Sequence, residues 1–128
     1  MNMEVIKTKT QINDFLSSIK SADSNNFIII NRNIEKPKNP FTFIHKLEYD
    51  IIDMINEIKN LTYKDYLRCQ IDSKNDFFLM YCFIKVIKQY IVYIKLSIVE
   101  NVNENIYVIS FHEAEKDELN ERPYKEEK

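Results

Sequence analysis

Aromatic and basic residues recur at every second position in three segments of the C-terminal half, the spacing that places side chains on one face of a β-strand. From Val92 to Ile98, the even-numbered positions are apolar, whereas the odd-numbered ones carry Tyr, Lys and Ser. If the corresponding faces of the three segments coincide, they form one solvent-facing patch: Tyr81, Phe83, Lys85, Tyr93, Lys95, Ser110 and His112. Aromatic rings stack on bases and lysines neutralise phosphates, so this patch is typical of a surface that binds single-stranded nucleic acid.

His112 adds to this patch a group that exchanges protons near neutral pH. RNA carries its own nucleophile, the 2′-hydroxyl, so its cleavage requires only an acid, a base and cations around the phosphate, without a metal ion. The other histidine, His45, lies among hydrophobic residues of a predicted helix, and we assign it a structural role. An alternative stays open for the patch itself, because aromatic residues on a solvent face also pair across strands and lysines there also serve solubility.

Three predicted strands, at about residues 78–88, 91–99 and 105–112, must position these side chains. β-branched and aromatic residues dominate this region, and the connections are short enough to require antiparallel neighbours. The faces opposite the patch are predicted to form the core, with Cys82, Ile84 and Val86 in the first strand and Tyr107, Ile109 and Phe111 in the third.

The N-terminal half predicts helices with a short strand between them. Three helices are expected: at residues 10–21 with Thr10 as the cap, at 40–47 after an Asn39 cap, and from residue 50. A strand is expected at residues 26–31, and a single helical turn at 62–67. The predicted fold class is therefore α+β, with N-terminal helices packed on an antiparallel sheet. Residues 1–118 are expected to form one domain, and residues 119–128 a charged, flexible tail.

Composition excludes several classes of enzyme. The 128 residues include no glycine, so a P-loop, a dinucleotide-binding glycine loop and a nucleophile elbow are all absent. The two cysteines are thirteen positions apart and only two histidines are present, so we expect reduced thiols, no metal site and no cofactor. The apolar runs are shorter than the ~20 residues that span a bilayer, and the N-terminus lacks a signal-peptide pattern, so we expect a soluble cytoplasmic protein with no membrane partner.

The C-terminal half also resembles the MqsR-type toxins of bacterial toxin–antitoxin systems. Its matches to the family pattern keep the family's order and spacing over about residues 31–115: Leu61 with Asp65 and Tyr66, then Phe83 with Lys85 and Ile87, then Val92 to Lys95, and finally Ile109 to Glu115. The resemblance implies a small ribonuclease of RelE/ParE-like architecture that cuts single-stranded mRNA and leaves a 2′,3′-cyclic phosphate and a 5′-hydroxyl. Of the family's catalytic residues, Arg68 replaces a lysine, Tyr93 matches the tyrosine, His112 replaces a second lysine, and Cys82 lies near the glutamine position.

Two functions follow as hypotheses. The first is a metal-independent endoribonuclease that a cognate antitoxin protein keeps silent. In this hypothesis, Arg68 and Lys95 bind phosphate, Tyr93 positions the substrate or transfers a proton, and His112 acts as a general acid or base. Tyr81, Phe83 and Lys85 contact the RNA. The second is a non-catalytic protein-interaction or RNA-binding module on the same sheet face, which the net charge of -2 favours because nucleic-acid binders are usually more basic. The acid-rich residues 113–128 suggest a covering role over the basic sheet.

Overall fold

A computed structural model of the chain describes residues 3–30, 38–71, 79–99 and 105–126. Within these residues, the helices are α1 (Lys9–Ser21), α2 (Pro40–Lys46) and α3 (Ile51–Lys59), and the strands are β1 (Met3–Val5), β2 (Phe27–Ile29), β3 (Tyr66–Ile71), β4 (Leu79–Ile87), β5 (Tyr90–Val99) and β6 (Asn105–Glu113). The strands form one sheet in the order β1-β3-β4-β5-β6-β2. Only the β2–β6 pairing is parallel among these neighbours, and the predicted α+β class is confirmed.

The helices begin at capping residues that the sequence supplies. Asn39 accepts backbone N–H groups of the first turn of α2, and Pro40 is its first residue, as predicted. The predicted cap of α1 at Thr10 is wrong, because Thr8 forms a reciprocal capping box with Gln11 two residues earlier. In that box the Gln11 N–H donates to the Thr8 hydroxyl over 3.2 Å.

Strand β3 lies where the sequence predicts a helical turn. The turn forms only as a 3-10 helix at Tyr63–Asp65, after which the chain extends between β1 and β4. Thr62 and Asp65 do form the predicted capping box, but it closes this single turn and does not start a longer helix. The extra strand carries Arg68 into the sheet, next to Cys82 of β4.

The predicted solvent face of β4 is wrong by one residue. Tyr81 and Phe83 face the helices and belong to the hydrophobic core, where the ring of Phe15 on α1 stacks on Tyr81 at a centroid distance of 3.8 Å. Cys82 and Ile84, on the other side of the strand, are also buried. Because both faces of this central strand are covered, its apolar residues do not alternate with polar ones and the pattern cannot tell one face from the other.

Lys85 and Val86 also lie on the opposite faces of β4 from those predicted. Lys85 points to the helix side, where its Nζ lies 3.6 Å from the Glu57 carboxylate on α3. Val86, predicted to be core, is 54% exposed. Tyr81, Phe83 and Lys85 are therefore not available as a nucleic-acid surface.

A β-bulge divides β6 into two halves of opposite phase. Lys95 pairs with Ser110 but Leu96 pairs with Val108, so Ile109 is an extra residue. Beyond the bulge, Phe111 is core and Ser110 and His112 lie on the opposite face, as predicted. The predicted solvent exposure of His112 is wrong, because its side chain is buried, with only 8% exposed. Before the bulge the prediction fails, because the core residues are Ile106 and Val108 and not Tyr107 and Ile109.

Two non-glycine residues adopt left-handed backbone conformations, Glu48 with φ 62° and Lys88 with φ 56°. Glu48 follows the end of α2 in a Schellman motif, in which its N–H donates to the His45 carbonyl and the Tyr49 N–H donates to the Ile44 carbonyl. Lys88 occupies the two-residue turn between β4 and β5. Positions with a positive φ are usually occupied by glycine, but this chain contains no glycine.

The chain after β6 folds back along the sheet. Residues 114–118, which we name the strap, begin where the Ala114 N–H extends the ladder by donating to the Ile91 carbonyl over 2.8 Å. Further along, the Tyr124 hydroxyl donates to the Lys7 carbonyl over 3.2 Å. Residues 119–126 thus contact the domain; the flexibility expected of 119–128 stays a prediction, and residues 127–128 lie outside the described ranges.

Candidate functional site

A cleft of about 550 Å³ opens on the sheet face that points away from the helices. Three adjacent strand pairings position its walls, since Cys82 on β4 lies opposite both Arg68 and Lys95, and Tyr93 lies opposite His112. The strap and the residue before the α2 cap close the remaining sides. The lining residues are Lys38, Arg68, Tyr93, Lys95, Ser110, His112, Ala114, Glu115, Lys116 and Glu118.

Tyr93 and His112 are neighbours across β5 and β6. Their ring centroids are 5.6 Å apart and the ring planes are tilted by 33°. The His112 Nδ1 lies 2.9 Å from the Glu113 carbonyl oxygen. Because a carbonyl only accepts, that contact requires a proton on Nδ1 and leaves Nε2 of the neutral ring to accept one. An imidazole held in this way is suited to act as a base toward a hydroxyl in the cleft.

The Tyr93 phenol is held in its protonated form. Its hydroxyl donates to the Cys82 Sγ over 3.1 Å, and that sulfur lies 3.9 Å from Gln70 Oε1. Burial, followed by the adjacent Cys82 thiol, raises the pKa of Tyr93 well above its usual range. Burial also raises the pKa of the Cys82 thiol. Tyr93 is therefore a hydrogen-bond donor or a positioning group near neutral pH, and a phenolate base is excluded.

Two ion pairs connect the strap to the walls of the cleft. The Arg68 guanidinium bonds to the Glu118 carboxylate, with the two side chains only 24% and 10% exposed, and Lys38 pairs with Glu115. Burial acts to lower the pKa of Arg68, but the Glu118 carboxylate outweighs it and raises this pKa above its usual value. Lys95 makes no ion pair with the described part of the chain, and its Nζ lies 5.7 Å from the centroid of the Tyr93 ring.

The structure thus brings together four of the predicted site residues and excludes three. Arg68, Tyr93, Lys95 and His112 share the cleft, whereas Tyr81, Phe83 and Lys85 lie on the helix side. Gln70, on the unpredicted strand β3, was not among the predicted site residues, and neither were Lys38 and Glu118. The acid-rich end of the chain was the only signal for Glu118, and it did not identify a partner.

No group of three or more His, Cys, Asp or Glu side chains in the described ranges is arranged to hold a metal ion. In the same ranges, no helix has the length and apolar character needed to cross a membrane. The chain matches no known protein-family model, and no curated protein matches it either.

Proposed function

We propose that this protein is a metal-independent endoribonuclease that cleaves single-stranded RNA, similar in function to the MqsR-type toxins. The observation that carries the proposal is the convergence of Arg68, Tyr93, Lys95 and His112 from three strands on one cleft. These residues combine two cations, a phenol donor and an imidazole, which are the groups that attack by a 2′-hydroxyl requires. By the same resemblance, a cognate antitoxin protein silences it, and we propose that it acts in the cytoplasm.

The proposed reaction begins with phosphate binding. Arg68 and Lys95 neutralise the phosphate, and the Tyr93 hydroxyl exchanges its hydrogen bond to the Cys82 Sγ for one to a non-bridging oxygen. His112 Nε2 takes the proton of the 2′-hydroxyl as the O2′–P bond forms and the P–O5′ bond breaks. The departing O5′ takes a proton from water in the open cleft. The products are a 2′,3′-cyclic phosphate and a 5′-hydroxyl, and loss of the proton from His112 to solvent completes the cycle.

Incubation of the purified full chain with end-labelled single-stranded RNA in the presence of EDTA tests this proposal. We expect cleavage with the product ends given above, and no cleavage of the same oligonucleotide with 2′-O-methyl riboses. His112→Ala should lower the rate by at least ~100-fold, the lower limit for loss of a general base. His45→Ala is the matched control, because His45 lies on α2 outside the cleft. Its side chain is exposed, so the structural role expected from the sequence is wrong. Intact RNA, or equal rates in the two variants, would overturn the proposal.

A second candidate is an RNA-binding or protein-interaction module without catalysis. Two observations favour its protein-interaction form: Glu118 engages Arg68, and Tyr81 and Phe83, expected to contact RNA, are buried in the core. The salt dependence of binding separates its two forms. Affinity for single-stranded RNA should fall with a log–log slope of about -0.7 per neutralised phosphate, whereas an apolar protein partner should respond little to salt.

A further inference from the structure

The strap presents two carboxylates to the cleft that we propose binds phosphate. Glu118 bonds to Arg68 and Glu115 bonds to Lys38, so each carboxylate engages a cation of the wall. A carboxylate and a phosphate compete for the same guanidinium because both offer paired anionic oxygens to its N–H groups. Glu118 therefore stands at a position where an RNA phosphate would have to bind in order to reach Arg68.

Burial makes the Glu118 contact unusual for a charged side chain. It is the only glutamate among the buried residues in the described ranges, and Arg68 is the only partner of its carboxylate there. A buried ion pair is poor evidence of a gain in stability, because desolvation of the two charges offsets their attraction. Stability therefore does not explain why this carboxylate is buried beside Arg68, whereas a role in controlling access to Arg68 does.

The charge of the cleft depends on the same two residues. Its lining carries four cations, Lys38, Arg68, Lys95 and Lys116, against the two strap carboxylates. With both carboxylates in place, half of the positive charge is neutralised before any ligand arrives. Without them, the cleft would attract a polyanion much more strongly.

We infer that the strap holds the cleft in a self-blocked state, in which Glu118 and Glu115 occupy positions that phosphates of single-stranded RNA take when it binds. This inference rests on the phosphate-binding part of the proposed function and does not require cleavage. The strap is anchored before these residues by the Ala114 bond to β5 and after them by the Tyr124 bond to the Lys7 carbonyl. Binding therefore requires exchange of carboxylate for phosphate on Arg68, and the segment need not detach.

Glu118→Gln tests this state, because it removes the charge and keeps the shape of the side chain. The probe is a short fluorescein-labelled oligouridylate with 2′-O-methyl riboses, which 2′-hydroxyl attack cannot cut, and the readout is fluorescence anisotropy at low salt. We expect roughly tenfold tighter binding by Glu118→Gln than by the unmodified chain, since a largely buried competitor for Arg68 has been removed. Glu126→Gln is the matched control: it changes the net charge equally, but Glu126 is exposed and does not line the cleft.

Equal affinities of Glu118→Gln and Glu126→Gln would overturn the inference, and so would weaker binding by Glu118→Gln, which would mean that Glu118 orients Arg68 for the ligand. Absence of binding by every variant would also overturn it. If Glu118→Gln does not fold, Glu115→Gln replaces it, because its side chain is 66% exposed; twofold to threefold tighter binding is expected, and no change would refute the inference.

The cleavage assay keeps the two proposals distinguishable. Tighter binding by Glu118→Gln without cleavage by any variant would support the self-blocked cleft and refute the ribonuclease. Cleavage by the unmodified chain that Glu118→Gln does not accelerate, with unchanged affinity, would support the ribonuclease and refute the self-blocked cleft.

Discussion

Replacement of Phe83 by alanine tests whether the Tyr81–Phe83 face of β4 belongs to the core and not to the solvent side. The side chain is 0% exposed, and its ring lies 6.2 Å from that of Phe15 and 6.1 Å from that of Tyr66. Truncation of a buried phenylalanine costs about 3–5 kcal/mol through lost transfer free energy and the cavity left behind. We expect about 4 kcal/mol here, because two aromatic contacts are lost as well.

Urea unfolding followed by circular dichroism measures this change. With an m-value of about 2 kcal/mol/M for a domain of this size, a loss of 4 kcal/mol lowers the midpoint by about 2 M. Such a loss approaches the whole stability of a marginal domain, so Phe83→Leu serves as a milder variant with a smaller shift in the same direction.

Val86→Thr is the matched control on the opposite face of the same strand. Val86 is 54% exposed, and threonine preserves its shape and β-branching, so the free energy of unfolding should change by less than about 0.5 kcal/mol. If Val86 were core, an unpaired hydroxyl would cost about 1–3 kcal/mol. A costly Val86→Thr together with a Phe83→Ala loss below about 1 kcal/mol would refute the assignment of faces and restore Phe83 to the solvent side.

Two further predictions concern pH and backbone conformation. Burial raises the pKa of the Cys69 thiol from 9.0 to about 12, so the unfolded chain loses this proton at a lower pH than the folded chain. The free energy of unfolding should therefore be unaffected below pH 9 and fall by up to about 4 kcal/mol as the pH rises toward 12. Urea midpoints that stay constant from pH 8 to 11, or that fall equally in Cys69→Ala, would contradict this prediction. Glu48→Gly should raise the free energy of unfolding by about 0.5–1 kcal/mol in the same assay, because glycine adopts the left-handed φ of 62° without the steric cost of a side chain. Gln89→Gly is the control, since Gln89 is an exposed turn residue without a positive φ, and it should give no gain. Equal effects of the two substitutions would refute the prediction.

The sequence predicts most elements of this fold because their signals are local. Helix α2 begins at an Asn-Pro cap, and β5 alternates cleanly between apolar and polar residues, so its core face is predicted correctly. Strand β1 has only three residues and gives no periodic pattern. Strand β3 follows a genuine capping box, which indicates a helix although the box closes only one turn.

The candidate site is predicted in part, because its remaining features depend on distant contacts. Tyr93, Lys95 and His112 follow from strand alternation, and Arg68 follows from the resemblance. The bulge at Ile109 reverses the phase of β6, and no local signal in a single sequence shows where such an extra residue falls. The bond between Arg68 and Glu118 joins residues fifty positions apart, so only the fold reveals that an acidic residue lies on the proposed phosphate site.

Within the part of the chain that the structure describes, the outer strands β1 and β2 are each three residues long, whereas β4, β5 and β6 have nine or ten. A long bare edge offers unpaired backbone groups to strands of neighbouring molecules and so promotes ordered aggregation. Here the long strands β4, β5 and β6, which are rich in β-branched and aromatic residues and could pair with other molecules, lie between shorter strands. Loss of either outer strand would expose the side of a longer one, so deletion of residues 1–5 should increase the tendency of the protein to form β-rich aggregates.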